Sequence, residues 1–507
     1  MPAKAIMIQG TGSHVGKSVM TAALCRLLTQ DGFRVAPFKA QNMSNNSYVT
    51  RSGGEIGRAQ AVQAEACGIE PTVHMNPILL KPSSDLGAQV IVHGKPVKTM
   101  QPREYQFHAS SFLSQVRFSL EHLMLEYDVV VIEGAGSPAE INLQEYDIVN
   151  MRTAEMANAP VILVGDIDRG GVFASFIGTL ELIQLKYRER VKAFLINKFR
   201  GERSLLQGGI DFLLGRTGIP NLGVIPYETQ LDLMEEDGLS DERIKNNGSR
   251  KNANDILIDV VWLPRISNFT DFSPFDREPD VTLTYLRQIP DRFPDVLILP
   301  GTKSTISDLD YLRVSGFDRW IESCIDRGVQ VIGICGGYQM LGSQILDPLM
   351  VESNQTEVSG LGFLKSATTF EAEKTTQQIM AVHLESGIEI KGYEIHMGQT
   401  QCLEKAEPVF KLTRRGNHPV FLDEGMSVSK SGVWGTYLHG IFDNDAFRQY
   451  FLNSFRAKRN LPLQTGSSVS TARTEMCDRL AHLVRANIDM DLFYRILNQK
   501  TAADIPL

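Results

Sequence analysis

The chain has 507 residues, which at about 150 residues per domain is enough for several domains with substantial cores. Hydrophobic residues make up 43%, which excludes a largely disordered protein. Lysine and arginine total 51 against 59 aspartates and glutamates, and the net charge of −8 argues against a general nucleic-acid-binding protein. No run of about 18 apolar residues predicts a membrane span, and the N-terminus lacks the pattern of a secretory signal.

The six cysteines form no CxxC pair, and their wide spacing fits neither a disulfide framework nor a zinc site. This pattern predicts a protein of the reducing cytoplasm. A reactive cysteine therefore has to be identified from its surroundings.

The first part of the chain alternates short apolar runs with longer amphipathic segments. Buried strands are predicted at 5–9, 34–38, 129–132, 161–165, 193–196 and 222–225. Helices are predicted at 17–30, 57–67 and 172–187. This alternation predicts a parallel, doubly wound α/β sheet.

The first predicted strand leads directly into a glycine-rich loop, residues 10–18 (GTGSHVGKS). Glycines such as Gly12 and Gly16 let backbone N–H groups surround phosphate oxygens at the start of the following helix. In such a loop Lys17 reaches the β- and γ-phosphates, and the Ser18 hydroxyl is a ligand of Mg²⁺. The loop is one residue longer than the strict phosphate-loop pattern, and the other interpretation is an ordinary glycine turn.

Two later strand ends carry side chains suited to the same nucleotide. Glu133 ends an apolar strand, so it is the candidate second ligand of the metal ion, although a solvated strand-end acid is the alternative. Asn197 follows the strand predicted at 193–196. Its amide has the donor and acceptor needed to read an adenine edge, but Asn-Lys is equally common in turns.

Between residues 231 and 255 the chain becomes highly charged and nearly free of large apolar residues, which predicts an interdomain linker. Strand–helix alternation then resumes, with strands predicted at 256–263, 296–299 and 329–334. The sequence thus predicts two doubly wound α/β domains, at 1–230 and 256–450. A linker at 231–255 joins them, and a helical C-terminal extension follows at 451–507.

Cys335 directly follows the strand predicted at 329–334 and precedes a helix. A nucleophile on such a sharp turn needs very small neighbours, because the backbone is strained and the substrate approaches closely. Gly333, Gly336 and Gly337 therefore favour a nucleophilic cysteine over a buried core cysteine. None of the other cysteines has such a setting.

A cysteine nucleophile needs a histidine that accepts and returns a proton. His439 ends an apolar strand and precedes a glycine, and His396 is its rival. The residues by themselves favour His439 slightly. Gly301 lies at another strand-end turn, where its N–H could join that of Gly336 in an oxyanion hole.

These segments resemble known families. The first predicted domain is similar to the dethiobiotin-synthetase-type ATPases, which share the stretched GTxxxVGK[ST] loop and the VxEGAG segment. The second predicted domain resembles the class I glutamine amidotransferases, whose G-x-C-x-G-x-Q elbow is present as Gly333, Cys335, Gly337 and Gln339. In this order the two resemble the cobyric acid synthase family, as do the segments 39–44, 75–82, 133–143 and 166–171.

The resemblance implies that Cys335 is the nucleophile, His439 its base and Gln339 a glutamine contact. Class I amidotransferases usually carry a glutamate two residues after the histidine, whereas residue 441 is isoleucine. The cobyric acid synthases are similar in this lack, so the resemblance implies that glutaminase activity survives. The group that orients His439 stays open.

The activity implied by the resemblance is ATP-dependent, glutamine-hydrolysing amidation of the b, d, e and g carboxylates of adenosylcobyrinic acid a,c-diamide. ATP and Mg²⁺ are the implied cofactors, and the corrinoid and glutamine are the implied partners, with no nucleic acid and no membrane. Candidate contacts near the activated carboxylate are Asn42, Asn142, Asp147 and Asp168.

Two alternatives stay open. Cobyrinic acid a,c-diamide synthase shares both domains but amidates other carboxylates, and its cysteine follows a glutamate where this chain has Ile334. A MinD-type ATP-driven switch protein carries an extra lysine in the phosphate loop, and no lysine lies between Gly10 and Val15. Such switch proteins also lack an attached amidotransferase.

Overall fold

A computed structural model of the chain describes residues 3–82, 87–228, 252, 254–466 and 468–499. The predicted linker at 231–255 lies almost entirely outside the described residues. The strands of the first part are β1 (Lys4–Gly10), β2 (Val35–Phe38), β3 (Gln41–Met43), β4 (Ser47–Val49), β5 (Glu55–Gly57), β6 (Ile78–Pro82), β7 (Ala88–Val92), β8 (Lys95–Met100), β9 (Val129–Glu133), β10 (Val161–Asp166), β11 (Val191–Phe199) and β12 (Asn221–Pro226). The helices are α1 (Lys17–Gln30), α2 (Arg58–Ala66), α3 (Pro102–Glu126), α4 (Met151–Met156), α5 (Val172–Leu182), α6 (Leu185–Arg188) and α7 (Gln207–Thr217).

The first part is built on a parallel sheet with strand order β12-β11-β10-β1-β9-β2. The strands are apolar on both faces because helices cover both faces of the sheet, as in doubly wound folds. The helix predicted at 172–187 is two helices, because the backbone is extended at Ile183 and Gln184. β3 and β6–β8 form a separate small sheet, and β4 pairs with β5.

The second part has the strands β13 (Ile256–Val261), β14 (Val281–Leu286), β15 (Val296–Leu299), β16 (Gln330–Ile334), β17 (Gln344–Leu346), β18 (Glu357–Ser359), β19 (Ser366–His383), β20 (Glu389–Cys402), β21 (Phe410–Arg415), β22 (His418–Glu424), β23 (Met426–Val428) and β24 (Val433–Thr436). Its helices are α8 (Thr305–Ser315), α9 (Phe317–Asp326), α10 (Gly336–Leu341), α11 (Asp445–Lys458), α12 (Val469–Asn487) and α13 (Met490–Leu497).

The main sheet of the second part has strand order β14-β13-β15-β16-β24-β23, with only the β23–β24 pair antiparallel. The predicted fold class, two doubly wound α/β sheets, is confirmed. The sequence pattern did not indicate the long antiparallel pair β19–β20, which belongs to a separate sheet with β17, β18, β21 and β22. This pair lies against the first part of the chain through β4.

The C-terminal helices return to the first part of the chain. α12 packs on α1, where Arg26 Nε lies 2.7 Å from Asp478 Oδ1. Helix α11 continues through residue 450, at which the sequence predicts a domain boundary. The domain boundaries therefore remain predictions. Among the described helices, none is both long and apolar enough to span a membrane.

Candidate active sites

Cys335 stands on a sharp turn between β16 and α10. Its backbone has φ +51° and ψ −106°, a conformation that residues with side chains rarely adopt. The neighbouring glycines have no space for a side chain: a Cβ on Gly337 would lie 2.0 Å from Leu299 O, and one on Gly333 would lie 2.6 Å from Leu341 Cδ1. The structure therefore places the cysteine on the strained elbow that the sequence predicts.

The two candidate oxyanion donors lie beside this elbow. Gly301 follows β15, and a Cβ built on it would be 3.2 Å from His439 Cε1. Gly336 begins α10, and a Cβ there would be 3.1 Å from the backbone nitrogen of Thr302. The turn after β15 and the start of α10 are thus in contact, which brings both glycines next to the predicted nucleophile and base.

Gln339 is buried at the centre of α10. Its Oε1 accepts a hydrogen bond from Thr305 Oγ1 at 2.9 Å, and its Nε2 donates to the Tyr437 hydroxyl at 3.2 Å. The side-chain amide is therefore held between α8 and the segment after β24. Its contact with glutamine stays a prediction.

The group that orients His439 is Asp271. Its Oδ2 lies 2.6 Å from His439 Nδ1, and its Oδ1 accepts the N–H of Gly440 at 3.2 Å. Asp271 belongs to the 3-10 helix Phe269–Arg277, and both members of the pair are buried. Because Nδ1 is bound to the carboxylate, Nε2 is the ring nitrogen that can exchange a proton with a thiol.

The charge state of His439 is set by its surroundings. Burial lowers its pKa, but the Asp271 carboxylate and the Cys335 side chain outweigh burial and raise the pKa to about 10. His439 Nε2 has no hydrogen-bond partner among the described residues. The imidazole is thus held at Nδ1 by Asp271, whose carboxylate favours the protonated ring.

The rival histidine, His396, has a different environment. Its Nδ1 lies 2.8 Å from Gly398 O, and its ring stacks on Tyr437 at a centroid distance of 3.9 Å. Within the described part of the chain His396 makes no hydrogen bond to Cys335. His396 Nε2 and His439 Nε2 are both without a hydrogen-bond partner among the described residues, but the Cys335 side chain raises the pKa of His439, so His439 stays the predicted base.

The loop between β1 and α1 has the geometry of a phosphate-binding loop. Gly16 has φ +98°, a left-handed conformation that glycine adopts without strain, and α1 begins at the next residue. Lys17 Nζ donates to Gly12 O at 2.8 Å and to Gly136 O at 3.0 Å. The lysine thus joins the loops after β1 and β9, beside the helix N-terminus at which phosphates bind.

Asn197 contacts the backbone of this loop. Its Nδ2 donates to Val15 O at 2.8 Å, and a Cβ on Gly16 would lie 2.3 Å from the same nitrogen. The neighbouring Lys198 Nζ donates to His14 O at 2.7 Å. These contacts hold the loop in shape, and the adenine contact of Asn197 stays a prediction.

Glu133 is the centre of a buried polar group at the end of β9. Its Oε1 accepts a hydrogen bond from Ser18 Oγ at 2.8 Å and lies 2.9 Å from Lys39 Nζ. Its Oε2 accepts a hydrogen bond from Gln63 Nε2 at 2.5 Å. The carboxyl group is fully buried, so the Lys39 ammonium supplies the opposite charge that a buried carboxylate requires.

These residues fit a magnesium ion bound together with a nucleotide. Among the described residues, no group of three or more His, Cys, Asp or Glu side chains could hold a metal. Mg²⁺ usually takes only one or two protein ligands and completes its shell with phosphates and water. The adjacent oxygens of Ser18 and Glu133 are hard ligands of that kind, 2.8 Å apart beside the phosphate loop.

The four candidate substrate contacts differ in their surroundings. Asn42 is buried, and its Nδ2 donates to Gln60 Oε1 at 2.9 Å. The carboxylate of Asp147 accepts three backbone N–H bonds at the start of α4. Asn142 is exposed, and Asp168 accepts a hydrogen bond from Arg200 Nε at 3.0 Å. Their role in substrate binding stays a prediction.

Comparison with known proteins accounts for both parts of the chain. Residues 6–240 match the CobQ/CobB/MinD/ParA nucleotide binding domain, and residues 257–447 match the CobB/CobQ-like glutamine amidotransferase domain. The chain is 49% identical to a cobyric acid synthase of Dehalococcoides mccartyi over 98% of this chain and 99% of that protein. It is 50% identical to one of Desulforamulus reducens, over 98% of both chains, and 46% identical to one of Streptococcus sanguinis, over 98% and 99%. The chain belongs to the cobyric acid synthase family.

This membership confirms the resemblance inferred from the motifs and favours the corresponding function over both alternatives. The relatives named cobyric acid synthase match almost the whole chain, including both parts. A MinD-type switch protein shares the nucleotide-binding part alone, whereas this chain also matches an amidotransferase domain over 257–447.

Two residues of these sites, Lys39 and Asp271, are not among the site residues predicted from the sequence. Lys39 follows β2 directly. The criterion that selects Glu133, a charged residue at the carboxyl end of a strand, would therefore also have selected Lys39. Asp271 lies in a short 3-10 helix far from any strand end. It has no such signal, and only the folded chain brings it to His439.

Proposed function

We propose that this chain forms amides on the b, d, e and g carboxylates of adenosylcobyrinic acid a,c-diamide, with ATP as the activating agent and glutamine as the nitrogen donor. The observation that carries the proposal is the His439–Asp271 pair beside the Cys335 elbow, in the same chain as a phosphate loop backed by Glu133. A carboxylate needs activation before amidation because oxide is a poor leaving group, so both sites are needed.

In the amidotransferase part, the region of residues 257–447, the Cys335 sulfur attacks the side-chain carbonyl carbon of glutamine, with its proton held by His439. The N–H groups of Gly301 and Gly336 stabilise the oxyanion of the tetrahedral intermediate. His439 then delivers the proton to the leaving nitrogen, so that ammonia departs and a thioester forms. Water hydrolyses the thioester to glutamate and the free thiol.

In the synthetase part, the region matched by the nucleotide-binding domain at 6–240, Lys17 neutralises charge on the β- and γ-phosphates of ATP, and Lys39 adds a second cation next to Glu133. Ser18 and Glu133 would hold Mg²⁺, which supplies further charge neutralisation when bound. The substrate carboxylate oxygen takes the γ-phosphoryl group and ADP leaves. Ammonia then attacks the acyl phosphate, the C–O bond to phosphate breaks, and the products are the amide, phosphate and a proton.

We also propose the domain division predicted from the sequence and a cytoplasmic location. The support for the location is that all six cysteines are free in the structure, as is usual for proteins of the reducing cytoplasm. The support for the division comes from the two matched domains. The nucleotide-binding match at 6–240 lies within the predicted domain 1–230 except for residues 231–240, which fall in the predicted linker, and the amidotransferase match at 257–447 lies within the predicted domain 256–450.

The proposed function is tested by supplying the purified protein with ATP, Mg²⁺, glutamine and adenosylcobyrinic acid a,c-diamide. Mass spectrometry of the corrinoid should show a loss of about one mass unit for each carboxylate converted to an amide, with one ADP and one glutamate formed in step. Cobyrinic acid, which retains its a and c carboxylates, distinguishes the rival diamide synthase. Preferential amidation of those two carboxylates would overturn the proposal.

A further inference from the structure

The synthetase part touches the glutaminase site through Ser47, at the start of β4. The backbone N–H of Ser47 donates to Asn268 Oδ1 at 2.9 Å, and its carbonyl oxygen accepts a hydrogen bond from the Tyr393 hydroxyl at 3.4 Å. Asn268 and Tyr393 belong to different elements of the amidotransferase part. A single residue of one part therefore bonds two separate elements of the other.

Those two elements are the ones that hold His439 and Asp271. The carbonyl oxygen of Asn268 accepts the N–H of Asp271 at 3.0 Å. The Tyr393 ring stacks on the imidazole with 5.1 Å between centroids and 14° between planes. The backbone N–H of His439 also donates to Tyr393 O at 2.9 Å. Asn268 thus connects Ser47 to Asp271, and Tyr393 connects Ser47 to His439.

Ser47 is itself fixed by a buried ion cluster that joins the two parts. Its hydroxyl donates to Glu55 Oε1 at 2.7 Å, and this carboxylate also binds Lys81 Nζ at 2.7 Å and Lys374 Nζ at 2.5 Å. Lys81 belongs to β6 of the synthetase part, whereas Lys374 belongs to β19 of the amidotransferase part. A buried carboxylate between two ammonium groups resists displacement, since moving it would leave uncompensated charge.

The same stretch of chain continues to the nucleotide site. β5 ends at Gly57 and leads directly into α2, whose Gln63 binds the Glu133 carboxylate at 2.5 Å. At the start of α2, Arg58 lies 3.9 Å from Asp443, four residues after the catalytic histidine. The segment from Ser47 to Gln63 therefore contacts both candidate active sites.

We propose that Ser47, held by Glu55, is a positioning residue of the synthetase part that completes the glutaminase site by fixing Asn268 and Tyr393. The inference rests on the proposed function, because it assumes that His439 and Asp271 serve glutamine hydrolysis. Correct placement of the imidazole then depends on the docked synthetase segment, in addition to the amidotransferase fold.

The test removes each Ser47 contact from the amidotransferase side in the full-length protein. Tyr393→Phe deletes the hydroxyl and keeps the stacked ring. Asn268→Gly deletes the amide at a residue with φ +53°, a conformation that glycine tolerates, and Asn268→Asp restores an acceptor oxygen. The matched control is Gln378→Ala, which breaks hydrogen bonds from Gln378 Nε2 to Val49 O and the Tyr48 hydroxyl across the same interface, away from His439.

We expect Tyr393→Phe and Asn268→Gly to lower kcat for glutamine hydrolysis by about 10- to 100-fold, since a small misplacement of a catalytic group has effects of this size. The KM for glutamine and the rate of synthesis from ammonium chloride should stay at the parent values. Asn268→Asp should recover most of the lost kcat, and Gln378→Ala should resemble the parent.

Three results would overturn the inference: parent-like hydrolysis in both variants, an equal loss in Gln378→Ala, or loss of ammonia-driven synthesis together with hydrolysis. The last result would mean that the contacts maintain the whole structure rather than the imidazole. The proposed function is judged separately by the parent protein, since failure of the parent to amidate the corrinoid with either nitrogen donor would count against the function.

Discussion

Asp271 Oδ2 and His439 Nδ1 lie 2.6 Å apart although the two residues are separated by 168 positions in the chain. The aspartate takes the place of the glutamate that class I amidotransferases usually carry two residues after the histidine. In this chain that position is Ile441, which is 1% exposed and packed in the core. An isoleucine cannot accept the imidazole N–H, and the carboxylate that contacts His439 comes from a different element, the 3-10 helix Phe269–Arg277.

Asp271→Asn should slow glutamine hydrolysis by about 10²–10⁴-fold, because the neutral amide neither fixes the imidazole tautomer nor stabilises the imidazolium. Against the effect of burial, the Asp271 carboxylate and the Cys335 side chain together raise the pKa of His439 to about 10, so removing the carboxylate should also move the alkaline limb of the pH profile for hydrolysis to lower pH. Ammonia-driven synthesis should be unchanged. His396→Asn is the matched control, and a larger loss in that variant would contradict the assignment of His439 as the base.

Cys335→Ala should abolish glutamine-dependent synthesis and spare synthesis from ammonium chloride, because the thiol serves the nitrogen donor alone. Both rates are measured by ADP release with the corrinoid present. Cys402→Ala, which alters an exposed cysteine of the same part, is the control and should be parent-like. Equal loss with both nitrogen donors in a folded Cys335→Ala protein would contradict the division of work between the two sites.

Lys17→Ala should lose synthesis with either nitrogen donor, because added ammonia cannot replace a cation on the β- and γ-phosphates. The measurement is amide formation from glutamine and, separately, from ammonium chloride. Lys95, exposed on β8, offers a control substitution to alanine that should leave both rates unchanged. A normal ammonia-driven rate in Lys17→Ala would remove the phosphate loop from the reaction.

Glu424 should make the stability of the folded chain fall as pH rises. Burial raises the pKa of this carboxyl group to about 8, despite hydrogen bonds from Thr436 Oγ1 and the Tyr437 N–H. An unfolded glutamate titrates near about 4.3, so the folded state holds an extra proton between these pH values. The corresponding stability is fully present below about pH 4.3 and is lost as pH rises through about 8.

Glu424→Gln removes this titration and keeps groups that can bond Thr436 and Tyr437. The Tm of the variant relative to the parent should therefore increase between about pH 5 and about pH 9 in thermal unfolding experiments. Glu357→Gln, at an exposed glutamate, is the control and should show a smaller change over this range. A difference in Tm that does not vary with pH would show that Glu424 is already ionised in the folded protein.

The sequence by itself determined the two α/β sheets, the phosphate loop and the elbow of Cys335. Each of these features is local: apolar runs alternate with amphipathic segments, and glycines stand next to the residue that needs space. α1, for example, begins and ends at the predicted residues, 17 and 30, because the glycine loop, the helix and its apolar face are all encoded within a few turns. The predicted helix at 172–187 failed for the same local reason, since two extended residues interrupt it.

Only the tertiary structure decided which distant side chains meet at these sites. Asp271 reaches His439 because the 3-10 helix after β13 packs beside the segment after β24, and no periodicity marks an aspartate in such a helix. The contact of Ser47 with Asn268 and Tyr393 requires the two parts of the chain to pack against each other. Buried ion pairs and hydrogen bonds between such parts depend on packing over long sequence separations, which local propensity does not encode.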